Sequence, residues 1–102
     1  MSKLLAEPVR LSEFFHALSS KVRIEILQTV SDTRRPFHIK ALSKHLGLDY
    51  AAIYRHVSIL KDADLIDLFE VGRSKVVVAR EEEALSRLFE FAESIHDGRY
   101  ES

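Results

Sequence analysis

Cysteine is missing from the 102-residue sequence, and so are long apolar runs. A chain without cysteine has no disulfides, thiolate metal sites, iron–sulfur clusters or thiol nucleophile. The longest unbroken apolar run is 50–54, far short of the roughly 20 residues that span a bilayer. The sequence therefore predicts a protein that does not cross a membrane, and we expect it in the cytoplasm.

Glycine and proline are also scarce, with three and two residues respectively, while 46% of the residues are hydrophobic and 30% are charged. This composition excludes collagen-like, low-complexity and wholly disordered chains. The length predicts a single domain spanning 1–102. A core of this size stabilises a fold without much surplus, so oligomerisation would add stability.

The net charge is small, but the charged residues are unevenly distributed along the chain. The formal net charge is −1, from 15 Lys and Arg against 16 Asp and Glu. Residues 1–79 carry 12 basic and 9 acidic side chains, whereas 80–102 carry 3 and 7. Binding depends on the local field at the contact, so the first three quarters of the chain remain able to meet phosphate.

Apolar periodicity predicts five helices with a strand pair between the fourth and the fifth. Ser12 and Ser20 are candidate caps of the first two helices, and the second is expected to end before the polar stretch 31–36. The expected segments are helices at 11–19, 20–30, 40–46, 50–63 and 81–96, a brief strand at 37–39, and a hairpin formed by 65–71 and 75–79.

Two turns organise the middle of the chain. Gly47 suits the left-handed conformation past a helix end, and Asp49 is placed to cap the next helix. Gly72, Arg73 and Ser74 form a basic hairpin tip. A short helix, a glycine turn, a second helix and a hairpin make a winged helix-turn-helix, a mostly α fold with a small β-hairpin (α+β).

Three segments resemble the prokaryotic ArsR-type winged-helix transcriptional regulators. FFHALSSKVRIEIL (14–27) resembles that family's opening pattern, LGLDYAAIYRHVSILKDADLI (46–66) its recognition helix, and VGRSKVVVA (71–79) its wing. The resemblance implies a homodimeric, sequence-specific regulator of transcription, most simply a repressor, with a pseudo-palindromic double-stranded DNA operator. It places the reader and wing at about 37–79 and dimerisation on the helices at about 11–19 and 81–96.

The sequence departs from that family at two points. Its metal sensors use a Cys-x-Cys motif or paired His and acidic ligands on the last helix, whereas this chain has no cysteine and only His96 near that end. We therefore predict no metal and no cofactor. The family commonly has Gly where this chain has Asp64, and Asp tolerates the left-handed conformation better than most residues.

The predicted DNA contacts combine bases, hydroxyls and small residues on the fourth helix, its supporting helix and the wing. Phosphate contacts position a protein on the duplex, and base-edge contacts give sequence specificity. The candidate DNA-binding residues are Lys40, Lys44, Tyr50, Ala51, Tyr54, Arg55, Ser58, Lys61, Arg73, Ser74 and Lys75. His56, beside the buried stripe of the same helix, is expected to satisfy a local hydrogen bond.

Apolar side chains on the first and last helices exceed what one small core needs, which indicates a partner surface. The candidate dimer residues are Leu11, Phe14, Phe15, Leu85, Leu88, Phe89, Ala92 and Ile95. Two alternatives stay open: a winged-helix module for protein interaction, and a regulator that senses a ligand or metal at the dimer interface, through His16 and His96. Asp62, Asp64 and Asp67 are interpreted as helix-end surface rather than an ion site. No motif indicates an enzyme.

Overall fold

The computed structural model describes residues 7–33 and 35–98. The helices are α1 (Pro8–Ala17), α2 (Lys21–Thr33), α3 (Ile39–Leu46), α4 (Tyr50–Asp62) and α5 (Glu82–Asp97). The strands are β1 (Phe37–His38), β2 (Ile66–Val71) and β3 (Ser74–Ala79). This is the predicted winged helix-turn-helix of five helices with a small antiparallel sheet.

The largest differences from the predicted helix boundaries are at the start of α1 and the end of α2. Helix α1 begins at Pro8, whose fixed φ suits a first helical turn, and Ser12 does not cap it; its hydroxyl donates to the Val9 carbonyl oxygen at 3.0 Å. Helix α2 runs through the polar residues to Thr33, whose hydroxyl donates to the Val30 carbonyl. Short polar side chains bond to their own helix here, so polarity alone misplaced both boundaries.

The turn between α3 and α4 is the one the sequence predicts. Gly47 ends α3 at φ +70°, a conformation that other residues adopt only with strain, and its N–H donates to the Ser43 carbonyl at 2.9 Å. Asp49 then caps α4 by accepting from the Ala52 N–H at 2.8 Å. These two ends fix the direction in which α4 leaves α3.

The sheet has the order β1–β3–β2, antiparallel throughout. The pair Val71↔Ser74 closes the hairpin around Gly72 and Arg73. The predicted brief strand is real, but it ends at His38 because Ile39 is already the first residue of α3. Pairing with β3 anchors the start of the helix-turn-helix to the base of the hairpin.

The core lies between α2, α3, α4 and one face of the sheet. The predicted α4 stripe, Ile53, Val57 and Leu60, is fully buried. It packs with Ile26, Leu27, Val30, Ile39, Leu42, Ile66 and Val77. Since this stripe turns inward, the opposite face of α4 has to point away from the protein.

Asp64 links α4 to β2 in the left-handed conformation, at φ +63°. This is the position at which the resemblance leads one to expect Gly, and Asp64 adopts the left-handed conformation there. Within residues 7–33 and 35–98, no helix has both the length and the apolar character that a bilayer span needs.

Candidate nucleic-acid interface

The outward side of α4 is its hydrophilic side. Tyr50, Ala51, Tyr54, Arg55 and Lys61 are exposed and Ser58 is half-buried. We call these six residues the reading face. Nothing among the described residues covers it, so a 13-residue helix presents aromatic, basic and hydroxyl groups to solvent.

Two tyrosines and a lysine connect the reading face to the hairpin. The rings of Tyr50 and Tyr54 lie parallel, with centroids 6.5 Å apart and an interplanar angle of 9°. The Lys75 Nζ lies 6.0 Å from the centroid of the Tyr54 ring, within the range of a cation–π attraction. The start of α4 and the part of the wing next to its tip therefore form one continuous surface.

The wing tip, Gly72, Arg73 and Ser74, projects beyond the sheet. Arg73 is exposed, and Gly72 makes the turn at φ +63°. Arg73 therefore extends from the end of a two-stranded arm, where it can reach a neighbouring molecule without moving the core.

Glu70 is the residue near this surface that sequence reasoning missed. Its Oε2 lies 2.6 Å from the Lys75 Nζ. The hydrogen bond from Lys75 holds the pKa of Glu70 below its ordinary value, and the same bond raises the pKa of Lys75. Counting outward from the hairpin turn pairs Glu70 with Lys75, and that signal was available in the sequence.

The supporting helix α3 presents its bases outward. Lys40 and Lys44 are exposed, while Ile39 and Leu42 are buried. The lysines are four residues apart, so they lie on one side of the helix. Both lysines are therefore available to a phosphate that lies beside α3, the helix that supports α4.

A buried arginine holds α4 from behind. Arg23 of α2 is 7% exposed. Its Nε donates to the Ala17 carbonyl at 2.6 Å, its Nη2 donates to the His16 carbonyl at 3.2 Å, and its Nη1 lies 3.1 Å from His56 Nδ1. The end of α1, the first turn of α2 and the middle of α4 thus meet at one guanidinium. His56 has a hydrogen-bond partner, but the expectation of a local one is wrong, because Arg23 is 33 residues away and reaches His56 only when α2 packs against α4.

His56 gives the stability of this protein a pH dependence. Burial lowers the pKa of His56 from 6.5, and the positive charges of Arg23 and Arg55 lower it further. Below about pH 6.5 the unfolded chain therefore takes up a proton that the folded chain does not, and stability falls as the pH falls towards the folded pKa. We expect the wild-type free energy of unfolding to decrease from pH 7.5 to pH 5.5.

His56→Gln retains an acceptor for Arg23 but does not titrate. Its urea midpoint should change less than that of the wild type over the same pH interval, when both are followed by circular dichroism. His45→Gln, at an exposed position on α3, is the matched control. Parallel pH profiles for wild type and His56→Gln would contradict the assignment.

The candidate dimer residues divide by exposure. Leu11, Phe15, Ala92 and Ile95 are exposed, and Phe14, Leu88 and Phe89 are half-buried. Leu85 is 4% exposed and packs in the core of its own protomer, so it is not available to a partner. Val9 and Phe91, which the sequence interpretation left out, are exposed on the same two helices.

Two acidic residues that follow α4 lie within ion-pair distance of an arginine of the same chain. Arg80 Nη1 lies 3.9 Å from an Asp64 oxygen and 3.7 Å from an Asp67 oxygen. Asp67 belongs to β2, so the helix-end interpretation does not apply to it. Among residues 7–33 and 35–98 no three His, Asp or Glu side chains are grouped so as to hold a metal ion.

The buried α4 stripe, the left-handed Gly47 turn, the exposed reading face and the wing together define a winged helix-turn-helix. The family model HVO_A0114 matches residues 18–84, about two thirds of the chain. An uncharacterized HTH-type transcriptional regulator of Methanocaldococcus jannaschii, MJ0229, is 31% identical over an alignment of 96 residues that covers 84% of this chain and 96% of the relative. The chain belongs to the HVO_A0114 family and is related to the HTH-type transcriptional regulators.

Solved structures with the same fold include ArsR-family regulators. The homodimeric winged helix-turn-helix DNA-binding domain of a possible ArsR-family regulator from Mycobacterium bovis has a TM-score of 0.73 at 18% identity, covering 90% of this chain and 82% of its own. A transcriptional regulator homologue from Pyrococcus horikoshii OT3 has a TM-score of 0.72 at 23% identity, covering 87% and 95%. The ArsR-type resemblance seen in the sequence is confirmed as a likeness of fold.

Proposed function

We propose that this protein is a homodimeric, sequence-specific repressor that binds double-stranded DNA in the cytoplasm of a prokaryotic cell. The reading face enters the major groove, the wing tip reaches the adjacent backbone or minor groove, and Lys40 and Lys44 contact phosphate. The observation that carries the proposal is the exposure of five of the six reading-face residues of α4, with Ser58 half-buried, above a stripe that is fully buried.

The charges are arranged in a way that supports this orientation. Helix α5 carries five acidic residues, Glu82, Glu83, Glu90, Glu93 and Asp97, and one base, Arg87. The bases of α3, α4 and the wing lie in the other part of the chain. A duplex placed on the reading face therefore meets lysine and arginine, while the acidic helix is left for a surface away from phosphate.

Dimerisation would place two reading faces on one duplex. A twofold pair of recognition helices about 34 Å apart engages successive major grooves and explains a pseudo-palindromic operator. The exposed apolar side chains of α1 and α5 supply a surface for it. The M. bovis neighbour, described as homodimeric, supports the same assembly for this chain. A repressor then acts by occluding a promoter.

Arg55→Ala and Arg73→Ala test the reading face and the wing tip separately. We expect each to weaken binding to operator fragments, selected from genomic DNA, by roughly 5- to 100-fold, since each removes one phosphate or base interaction per protomer. If the arginine binds phosphate, the slope of log K against log salt should become shallower by about 0.9 for each phosphate that the variant no longer neutralises. Fluorescence anisotropy from 50 to 300 mM salt measures both quantities.

Arg87→Ala removes an exposed arginine from α5 and is the control, with affinity expected near the wild-type value. Unchanged affinity and unchanged salt slope for both Arg55→Ala and Arg73→Ala would refute the proposed interface.

A protein-interaction role is the second candidate, and one observation favours it. Phe69 and Val71 are 51% and 58% exposed on the outer side of the hairpin, where DNA binding has no need of them. A gel-shift at low salt decides: binding to no duplex would favour the interaction module. Change of DNA affinity on adding a metal ion would instead favour the sensing variant.

A further inference from the structure

We propose that Glu70 limits the affinity of this protein for DNA by holding Lys75 in an ion pair that must open before the lysine can reach a phosphate. This inference rests on the proposed DNA binding and assigns Glu70 a role in setting its strength. Glu70 is then an internal competitor for the lysine, placed where the reading face meets the wing.

The pair is distinct among the basic groups of the interface. The candidate bases are Lys40, Lys44, Arg55, Lys61, Arg73 and Lys75. In the part of the chain that the structure describes, Lys75 alone among these six has a carboxylate partner within 4 Å. Five bases are therefore not paired with a carboxylate there, and one is already neutralised.

The geometry makes the pairing persistent rather than accidental. Glu70 and Lys75 lie directly opposite each other on β2 and β3. Four further residue pairs lie between them and the base of the hairpin, and one pair lies between them and the tip. Their charged atoms are 2.6 Å apart, and the lysine side chain is 32% exposed while that of the glutamate is 73% exposed. The strand pairing therefore keeps the two groups side by side whenever the hairpin is formed.

The position of the lysine connects the pair to DNA binding. The Lys75 Nζ lies 6.0 Å from the Tyr54 ring centroid, beside the stacked pair that begins the reading face. A duplex in contact with Tyr54 brings phosphates close to both members of the ion pair. Lysine is drawn to them, and the Glu70 carboxylate is repelled.

Counterion release gives this competition a measurable signature. A lysine that replaces phosphate counterions steepens the salt dependence of binding by about 0.9 in the logarithmic slope. A lysine neutralised by a neighbouring carboxylate contributes less. An exposed ion pair adds little to the stability of the fold, so removal of the carboxylate should act on binding and leave folding almost unchanged.

Glu70→Gln is the direct test, because it removes the charge and keeps nearly the same shape. With a random-sequence 30-base-pair duplex as probe, we expect affinity at 100 mM salt to rise roughly 3- to 10-fold and the salt slope to steepen by up to about 0.9 per protomer. Glu25→Gln is the matched control. It breaks the Lys21–Glu25 pair of α2, whose charged atoms are 2.9 Å apart, and should leave both quantities unchanged.

A double-mutant cycle shows whether Glu70 acts through Lys75. The quantity compared is the gain in log affinity that Glu70→Gln produces. In the Lys75→Gln background this gain should be less than half of the gain in the wild type. An undiminished effect in that background would mean direct repulsion of phosphate and would overturn the proposal, as would unchanged affinity in Glu70→Gln itself. Failure of the wild type to bind any duplex would instead refute the proposed function, so the two failures are distinguishable.

Discussion

Arg23→Ala is expected to lower the free energy of unfolding by about 3 kcal/mol, the largest decrease that we anticipate from removing a single polar side chain. Arg23 is 7% exposed and donates to two carbonyls at the end of α1, those of His16 and Ala17. Without it the carbonyl of Ala17, a residue that is 1% exposed, loses the Arg23 donor, while the His16 carbonyl keeps the Ser19 N–H at 3.0 Å, and His56 is deprived of its partner. A helix end left in this state is costly.

The measurement is urea unfolding at fixed protein concentration, followed by circular dichroism, because the proposed dimerisation would make stability depend on concentration. Arg23→Lys retains a charge but not the fork of donors that contacts three groups at once, so its destabilisation should be intermediate. Arg87→Ala, an exposed arginine of α5, should stay within about 0.5 kcal/mol of the wild type. If Arg23→Ala lowers the free energy of unfolding by less than about 1 kcal/mol, the guanidinium contributes little to the stability of the fold.

The reading helix was the most predictable part of the molecule. Gly47, Asp49 and the stripe Ile53, Val57 and Leu60 each act within one or two helical turns, and each local preference agrees with the final fold. The face opposite the stripe could therefore be identified as outward from spacing alone. What it binds stays a prediction until the variants are measured.

Interactions between distant parts of the chain were much less predictable. Arg23 lies in the segment 14–27, which resembles the opening pattern of the ArsR-type regulators. Its contact with His56, however, arises only when α2 and α4 are packed together. Periodicity along one helix carries no information about which side chain of another helix lies behind it. The start of α1 at Pro8 was missed for a related reason, since its first turn is exposed and has no apolar periodicity.

The contact of Glu70 with Lys75 was less predictable than the reading helix but more predictable than the contact of Arg23 with His56. Hairpin register places Glu70 opposite Lys75 once the turn is fixed at Gly72 and Arg73. The composition of the wing predicts a basic tip, whereas the Glu70–Lys75 pair becomes visible only when the register is followed from the turn along the two strands. The distance of 2.6 Å between the charged atoms then makes the wing less basic than its composition indicates. Candidate sites on hairpins are better evaluated pair by pair than by counting charges.

The second large effect that we expect comes from introducing charge on α1 and α5, the two helices of the proposed dimer interface. In the double variant Phe15→Glu and Ile95→Glu, both side chains are exposed in the protomer, by 51% and 70%, so the fold should survive. Burying two carboxylates per protomer between apolar partners is strongly unfavourable. We expect sedimentation velocity, at a protein concentration where the wild type is a dimer, to show a monomer for the double variant.

Disruption of the dimer should weaken operator binding far more than removal of one arginine does. A dimer binds its second half-site at high effective concentration, and this avidity contributes roughly 10²- to 10⁴-fold. The monomeric variant should therefore bind at least about 100-fold more weakly, while Arg55→Ala and Arg73→Ala stay dimeric. Val71→Glu places the same charge on an exposed apolar residue of the wing and should leave the sedimentation coefficient of the dimer unchanged. A double variant that remains dimeric would place the interface elsewhere than on α1 and α5.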